Sequence, residues 1–102
     1  MHESQLIQAA RRGDVHAFND LVLSYQDMAF TVAYRILGHP DAAADAAQEA
    51  FIAAFQKLHQ LRGQQFKSWL MRIVTNACYD ELRRQRRRPA TSLDDLYEAQ
   101  PA

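Results

Sequence analysis

Apolar residues recur every three to four positions through most of this chain, and the rhythm predicts four helices. The cleanest stretch runs from about Asp14 to Leu37. There Phe18, Leu21, Val22, Tyr25, Met28, Ala29, Val32, Ala33 and Ile36 share one face. A short helix precedes it, over about Ser4 to Arg12, with Ser4 as its expected N-cap. Gly13-Asp14 ends that helix and restarts the chain. Gly38 is a natural stop for the second helix, and His39-Pro40 forces a turn. The third helix is expected to start at Asp41, as N-cap after Pro40, and to reach about Leu61. Its core face is Ala47, Ala50, Phe51, Ala54, Phe55 and Leu58, whose small alanines let a neighbouring helix come close. A polar loop from Arg62 to Gln65 leads into the fourth helix, Phe66 to Arg88, closed by Pro89. That helix is roughly 34 Å long at 1.5 Å per residue. Its predicted buried stripe is Phe66, Leu70, Ile73 and Ala77.

The expected fold is all-α, a compact bundle of three to four helices over residues 1–89, followed by an acidic linker or frayed tail over 90–102. Phe18, Tyr25, Phe51, Phe55, Phe66 and Trp69 are the large residues available to its core. A chain of this length buries one core, but barely.

Two polar rows are left over. On the fourth helix, Arg72, Asn76, Tyr79 and Arg83 sit three to four residues apart, on a different face from the buried stripe. Arg83, Arg84, Arg86, Arg87 and Arg88 crowd its last turns. A basic ridge with amide and phenol groups suits a nucleic acid. A structural explanation stands beside it, because cations also suit a helix C-terminus. On the third helix, Asp45, Gln48, Glu49, Ile52 and Gln56 line up at helical spacing. That row reads either as a solvated face or as a partner-binding face with Ile52 as an apolar anchor.

Composition narrows the classes. The chain has 102 residues, with 48% hydrophobic content, three glycines and three prolines, as expected of one helical domain. No apolar run approaches the roughly 20 residues of a membrane helix, and the N-terminus lacks the apolar segment of a secretory signal. The single Cys78 fits a reducing cytoplasm and reads as a helix-packing residue. His2, His16, His39 and His59 are scattered, so no metal site and no cofactor are expected. Asp45 and Glu49 have no nucleophile or metal ligand nearby in the pattern, which argues against an enzyme.

The formal net charge of zero hides a segregation. Residues 1–61 hold four cations against seven carboxylates, residues 62–88 eight against two, and residues 89–102 three carboxylates alone. One face should attract polyanions while another repels them.

These residues also resemble a known family. Asp41-Ala-Ala-Ala-Asp45-Ala-Ala-Gln48-Glu49-Ala-Phe51 resembles the D-A-x-D-x-x-Q-E-x-F signature of bacterial sigma factors, with one extra alanine between the two acids. Phe66-x-x-Trp69-Leu70-x-x-Ile73-x-x-Asn76-x-x-x-Asp80-x-x-Arg83-Arg84 is similar to the family's next stretch. Gly13-Asp14-x-x-Ala17-Phe18-x-x-Leu21-Val22-x-x-Tyr25 and Ala33-Tyr34-Arg35-Ile36-Leu37-Gly38 resemble its opening. The resemblance covers about Leu6 to Pro89, in order, and is nearest to region 2 of the extracytoplasmic-function type.

The resemblance implies a transcription initiation factor of the cytoplasm. Its third helix would dock on the β′ clamp coiled coil of core RNA polymerase through Asp45, Gln48, Glu49 and Ile52. Its loop and fourth helix would recognise and melt the promoter −10 element as non-template single strand. The residues in place for that are Arg62, Gln64, Gln65, Lys67, Arg72, Asn76, Tyr79, Arg83, Arg84 and Arg87. Arginines would meet phosphates, and amides and aromatic rings would meet unstacked bases. Trp69 borders the buried stripe and is expected mainly in the core, and Asp80 is expected to pair with Arg83 or Arg84. An anti-sigma factor covering these faces is a further expectation. Complete members carry a second domain that reads the −35 element. This chain ends at Ala102, where the linker should run, so that domain is expected to be absent. Two other readings remain at this level: a generic helical nucleic-acid-binding module, and a protein-interaction adaptor whose arginines only solubilise the helix.

Overall fold

The computed structural model describes residues 2–62 and 65–87. Among the described residues four α-helices follow one another: α1 Glu3–Arg11, α2 Val15–Leu37, α3 Pro40–Lys57 and α4 Phe66–Arg87. A 3-10 turn, Leu58–Gln60, follows α3. The expected end of the bundle at Pro89, the tail over 90–102 and Arg88 lie outside the described residues.

The helix ends follow from local chemistry, with two departures from the expected caps. α1 is capped by His2, with Ser4 inside its first turn, and the Gln5 side chain accepts from the His2 N–H at 3.0 Å. α3 begins with Pro40 at its first position after His39, so Asp41 lies within the first turn. There its carboxylate still faces the positive end of the helix dipole. The Asp14 carboxylate caps α2 as its residue type favours, accepting from the N–H groups of His16 and Ala17. Gly38 ends α2 at φ 70°, a left-handed conformation that a side chain would strain. The third helix was expected to reach Leu61. Its last turn instead tightens to 3-10 geometry, with Leu58 and Leu61 both buried.

α2 packs against all three other helices, and α3 packs against α4. The residues buried between α3 and its neighbours are mostly alanines: Ala43, Ala46, Ala47, Ala50 and Ala54, beside Phe51. α4 contributes Phe66, Leu70, Val74 and Cys78. That stripe departs from the expected one, since Ile73 and Ala77 are only half-buried. The buried positions form an unbroken i, i+4 row, the kind of ridge by which helices most often interdigitate. Cys78 is wholly buried, as a packing residue should be, and burial pushes its thiol pKa up. Met28 departs too: it lies at the surface of α2.

Aromatic rings line one side of the core. Tyr25 meets Phe66 with centroids 5.5 Å apart, and Phe66 meets Trp69 at 6.0 Å. Trp69 is half-buried against the core, in keeping with its expected role there. Tyr25 also ties α1 to α2, because its hydroxyl donates to the Glu3 carboxylate.

Candidate nucleic-acid and partner interfaces

The buried stripe of α4 dictates which side chains point away from the bundle. At 3.6 residues per turn, Arg72, Asn76, Tyr79 and Arg83 fall on the opposite side of the helix from Leu70, Val74 and Cys78. All four are exposed, Tyr79 by 47%. The ridge therefore offers two guanidinium groups, an amide and a phenol in one line. Arg83 is held by an ion pair with Asp80, one of the two partners expected for that acid. Arg72 forms no ion pair among the described residues, so its charge is the less compensated of the two.

Other candidates are spread around the ridge. Arg62 and Gln65 are exposed at the two ends of the loop before α4, while Gln64 lies outside the described residues. Arg87 continues the ridge side, near Arg83 and Asp80. Lys67 is exposed too, but it stands roughly 150° around the helix from the ridge. Arg84 is also off the line, turned toward α3. Its guanidinium lies 2.7 Å from the Glu81 carboxylate and 3.5 Å from Glu49 of α3.

The α3 row is exposed as well. Asp45, Gln48, Glu49, Ile52 and Gln56 face away from the alanine side of the helix, and Ile52 is 53% exposed. Packing divides this row between two concavities. Gln48, Ile52 and Gln56 form one lip of an apolar groove between α2 and α3, floored by Phe18, Phe51 and Phe55. Asp45 and Glu49 belong to a polar hollow on the other side, shared with Asp41, Glu81 and Arg84. The far lip of the groove carries Val15 and Phe30 from α2, both exposed and neither anticipated from the sequence. One signal was available for Phe30, which is apolar yet falls off the regular stripe of α2, whereas Val15 continues that stripe three residues before Phe18. Gln26 and Asp27 add polar atoms to that lip.

Among the described residues no three His, Cys, Asp or Glu side chains gather as metal ligands. No helix there is long and apolar enough to cross a membrane.

Comparison with known proteins identifies the fold and the family. The family model described as sigma-70 region 2 matches residues 21–88. RNA polymerase sigma-H factor of Pseudomonas aeruginosa is 40% identical over 91 residues, which cover 88% of this chain and 47% of that protein. The ECF RNA polymerase sigma-E factor of Escherichia coli K12 is 38% identical over 96 residues, covering 93% and 50%. ECF sigma factor SigW of Bacillus subtilis is 38% identical over 81 residues, covering 78% and 43%. The chain thus spans about half the length of the curated relatives it matches. Among solved structures, an engineered region 2 of sigmaE in complex with GTAAAA superposes with a TM-score of 0.81 at 34% identity, covering 86% of this chain and 93% of that one. With an all-helical bundle, two outward polar rows and a family match over most of its length, the chain belongs to the sigma-70 region 2 family and is a sigma factor region 2 domain.

Proposed function

We propose that this domain serves transcription initiation through two contacts made by two helices. The α3 row Asp45, Gln48, Glu49 and Ile52 docks on core RNA polymerase, at the β′ clamp coiled coil. The α4 ridge, with the loop before it, recognises and melts the promoter −10 element and holds the non-template strand. Arg72, Arg83, Arg84 and Arg87 neutralise phosphates, with Arg62 at the margin and Lys67, on the far side of α4, adding only to the long-range field. Asn76, Tyr79, Gln64 and Gln65 meet the unstacked bases. In this reading the domain ends near Pro89, and residues 90–102 are linker. It works in the cytoplasm, meets an anti-sigma factor when silenced, and is not an enzyme.

The observation that carries the reading is the composition of the α4 ridge. A solvated helix face needs charge, but it needs neither an amide nor an exposed phenol in register with two arginines. Single strands are held by that combination, because phosphates take cations while bare bases stack on rings and hydrogen-bond along their edges. The similar sigmaE region 2, bound to a six-base sequence, lends further support.

Fluorescence anisotropy with labelled single strands carrying GTAAAA, and with the matching duplexes, tests the reading across a salt series. The expected result is preference for the single strand, sequence discrimination and a steep salt slope. Equal binding to every strand and duplex would reduce the ridge to a general cationic patch.

A further inference from the structure

Glu49 and Arg84 are 35 residues apart, and each belongs to a different proposed interface. The fold joins them. Arg84 leans from the flank of α4 toward α3, about a quarter turn away from the Arg72–Arg83 ridge. Two carboxylates hold it there. The pair with Glu81 lies within α4, one turn apart, and moves with that helix. The pair with Glu49 is different because it bridges α3 and α4. Glu49 and Arg84 also line both hollows between these helices: one with Asp45 and Asp41, the other with Asp80, Arg83 and Arg87. Their side chains are 55% and 56% exposed, so a cation from one side or a phosphate from the other can reach them.

We propose that the Glu49–Arg84 ion pair couples the two interfaces. It turns Arg84 toward α3 and adds to the charge compensation that the nearer Glu81 already supplies. A cationic group of the polymerase that takes Glu49 releases Arg84 toward a strand phosphate. The inference rests on the two contacts proposed above and adds a regulatory link between them. Linkage makes the effect reciprocal: a phosphate that draws Arg84 away leaves Glu49 open to the polymerase, by the same factor. An exposed ion pair is worth little, so the factor is modest, about two- to five-fold.

The test is anisotropy titration of the labelled GTAAAA strand without polymerase, in a salt series. Glu49→Gln should bind about two- to five-fold more tightly than the native domain. Its salt slope should steepen by about 0.7, the increment of one added phosphate contact to a single strand. Asp41→Asn removes the same charge from the same hollow without touching Arg84, and should give a smaller gain and no added slope. In an Arg84→Gln background, Glu49→Gln should gain no more than Asp41→Asn does. Equal gains from Glu49→Gln and Asp41→Asn, or a Glu49→Gln gain that survives Arg84→Gln, would overturn the coupling while leaving the ridge reading intact. The ridge reading is judged separately by Arg72→Gln, which must weaken binding in every background. If it does not, strand binding by α4 fails, and the coupling fails with it.

Discussion

α3 and α4 lie side by side and are built in opposite ways. α3 buries methyl groups and turns carboxylates and amides outward. α4 buries Phe66, Leu70 and Val74 and turns guanidinium groups outward. In both, the buried face settles only how closely the helix can approach its neighbours. The opposite face is left open to other chemistry, and here the two open faces carry opposite charge. One small core can therefore present two faces of different chemistry.

The difference predicts opposite sensitivities in the core, and these are the largest effects expected. Leu70 is wholly buried in α4, so Leu70→Ala removes packed volume and should cost about 2–5 kcal/mol in a denaturant melt. Ala50 is equally buried in α3, where the fault would be excess volume. Ala50→Leu should cost about 1–3 kcal/mol by forcing α3 away from its neighbours. If Ala50→Leu were tolerated freely, close approach at α3 would not be a requirement of the fold.

The outward faces should respond to charge and leave stability alone. Arg72→Gln should lower the single-strand salt slope by about 0.7, the share of one phosphate contact, with an unchanged melting temperature. An unchanged slope would mean that Arg72 does not meet the strand.

The smallest effect at neutral pH concerns Tyr25, which borders both α1 and α4. Its phenol is pushed up to about 12, first by burial, then by its hydrogen bond to Glu3 and that residue's charge. The folded domain therefore favours the protonated phenol more than the unfolded chain does. That contribution is fully present below pH 10, the ordinary phenol value, and is lost as pH rises from 10 toward 12. Tyr25→Phe should lose a little stability at pH 7 and show a shallower decline in that alkaline window, measured by thermal melts against pH.

The elements and the two polar rows were legible because helical spacing shows directly in a sequence. Arg72, Asn76, Tyr79 and Arg83 could be assigned to one face from their numbers alone. The caps at His2 and His39 were harder, since histidine is not a favoured cap and Ser4 and Asp41 are better candidates by residue type. The buried stripe of α4 differs from the expected one for a related reason: Ile73 and Val74, like Ala77 and Cys78, are apolar neighbours. Periodicity cannot choose between them until the packing partners are known. The groove between α2 and α3 was invisible because its lips come from two helices. So was the Glu49–Arg84 pair, which only the fold brings together.

Two oppositely charged faces serving two partners is the central claim, and one two-by-two titration tests it most directly. Core polymerase and the labelled single strand would each be titrated with Asp45→Lys and with Arg72→Glu. The account predicts that Asp45→Lys loses the polymerase and keeps the strand, while Arg72→Glu loses the strand and keeps the polymerase. Equal loss of both ligands in both variants, or no loss in either, would contradict it.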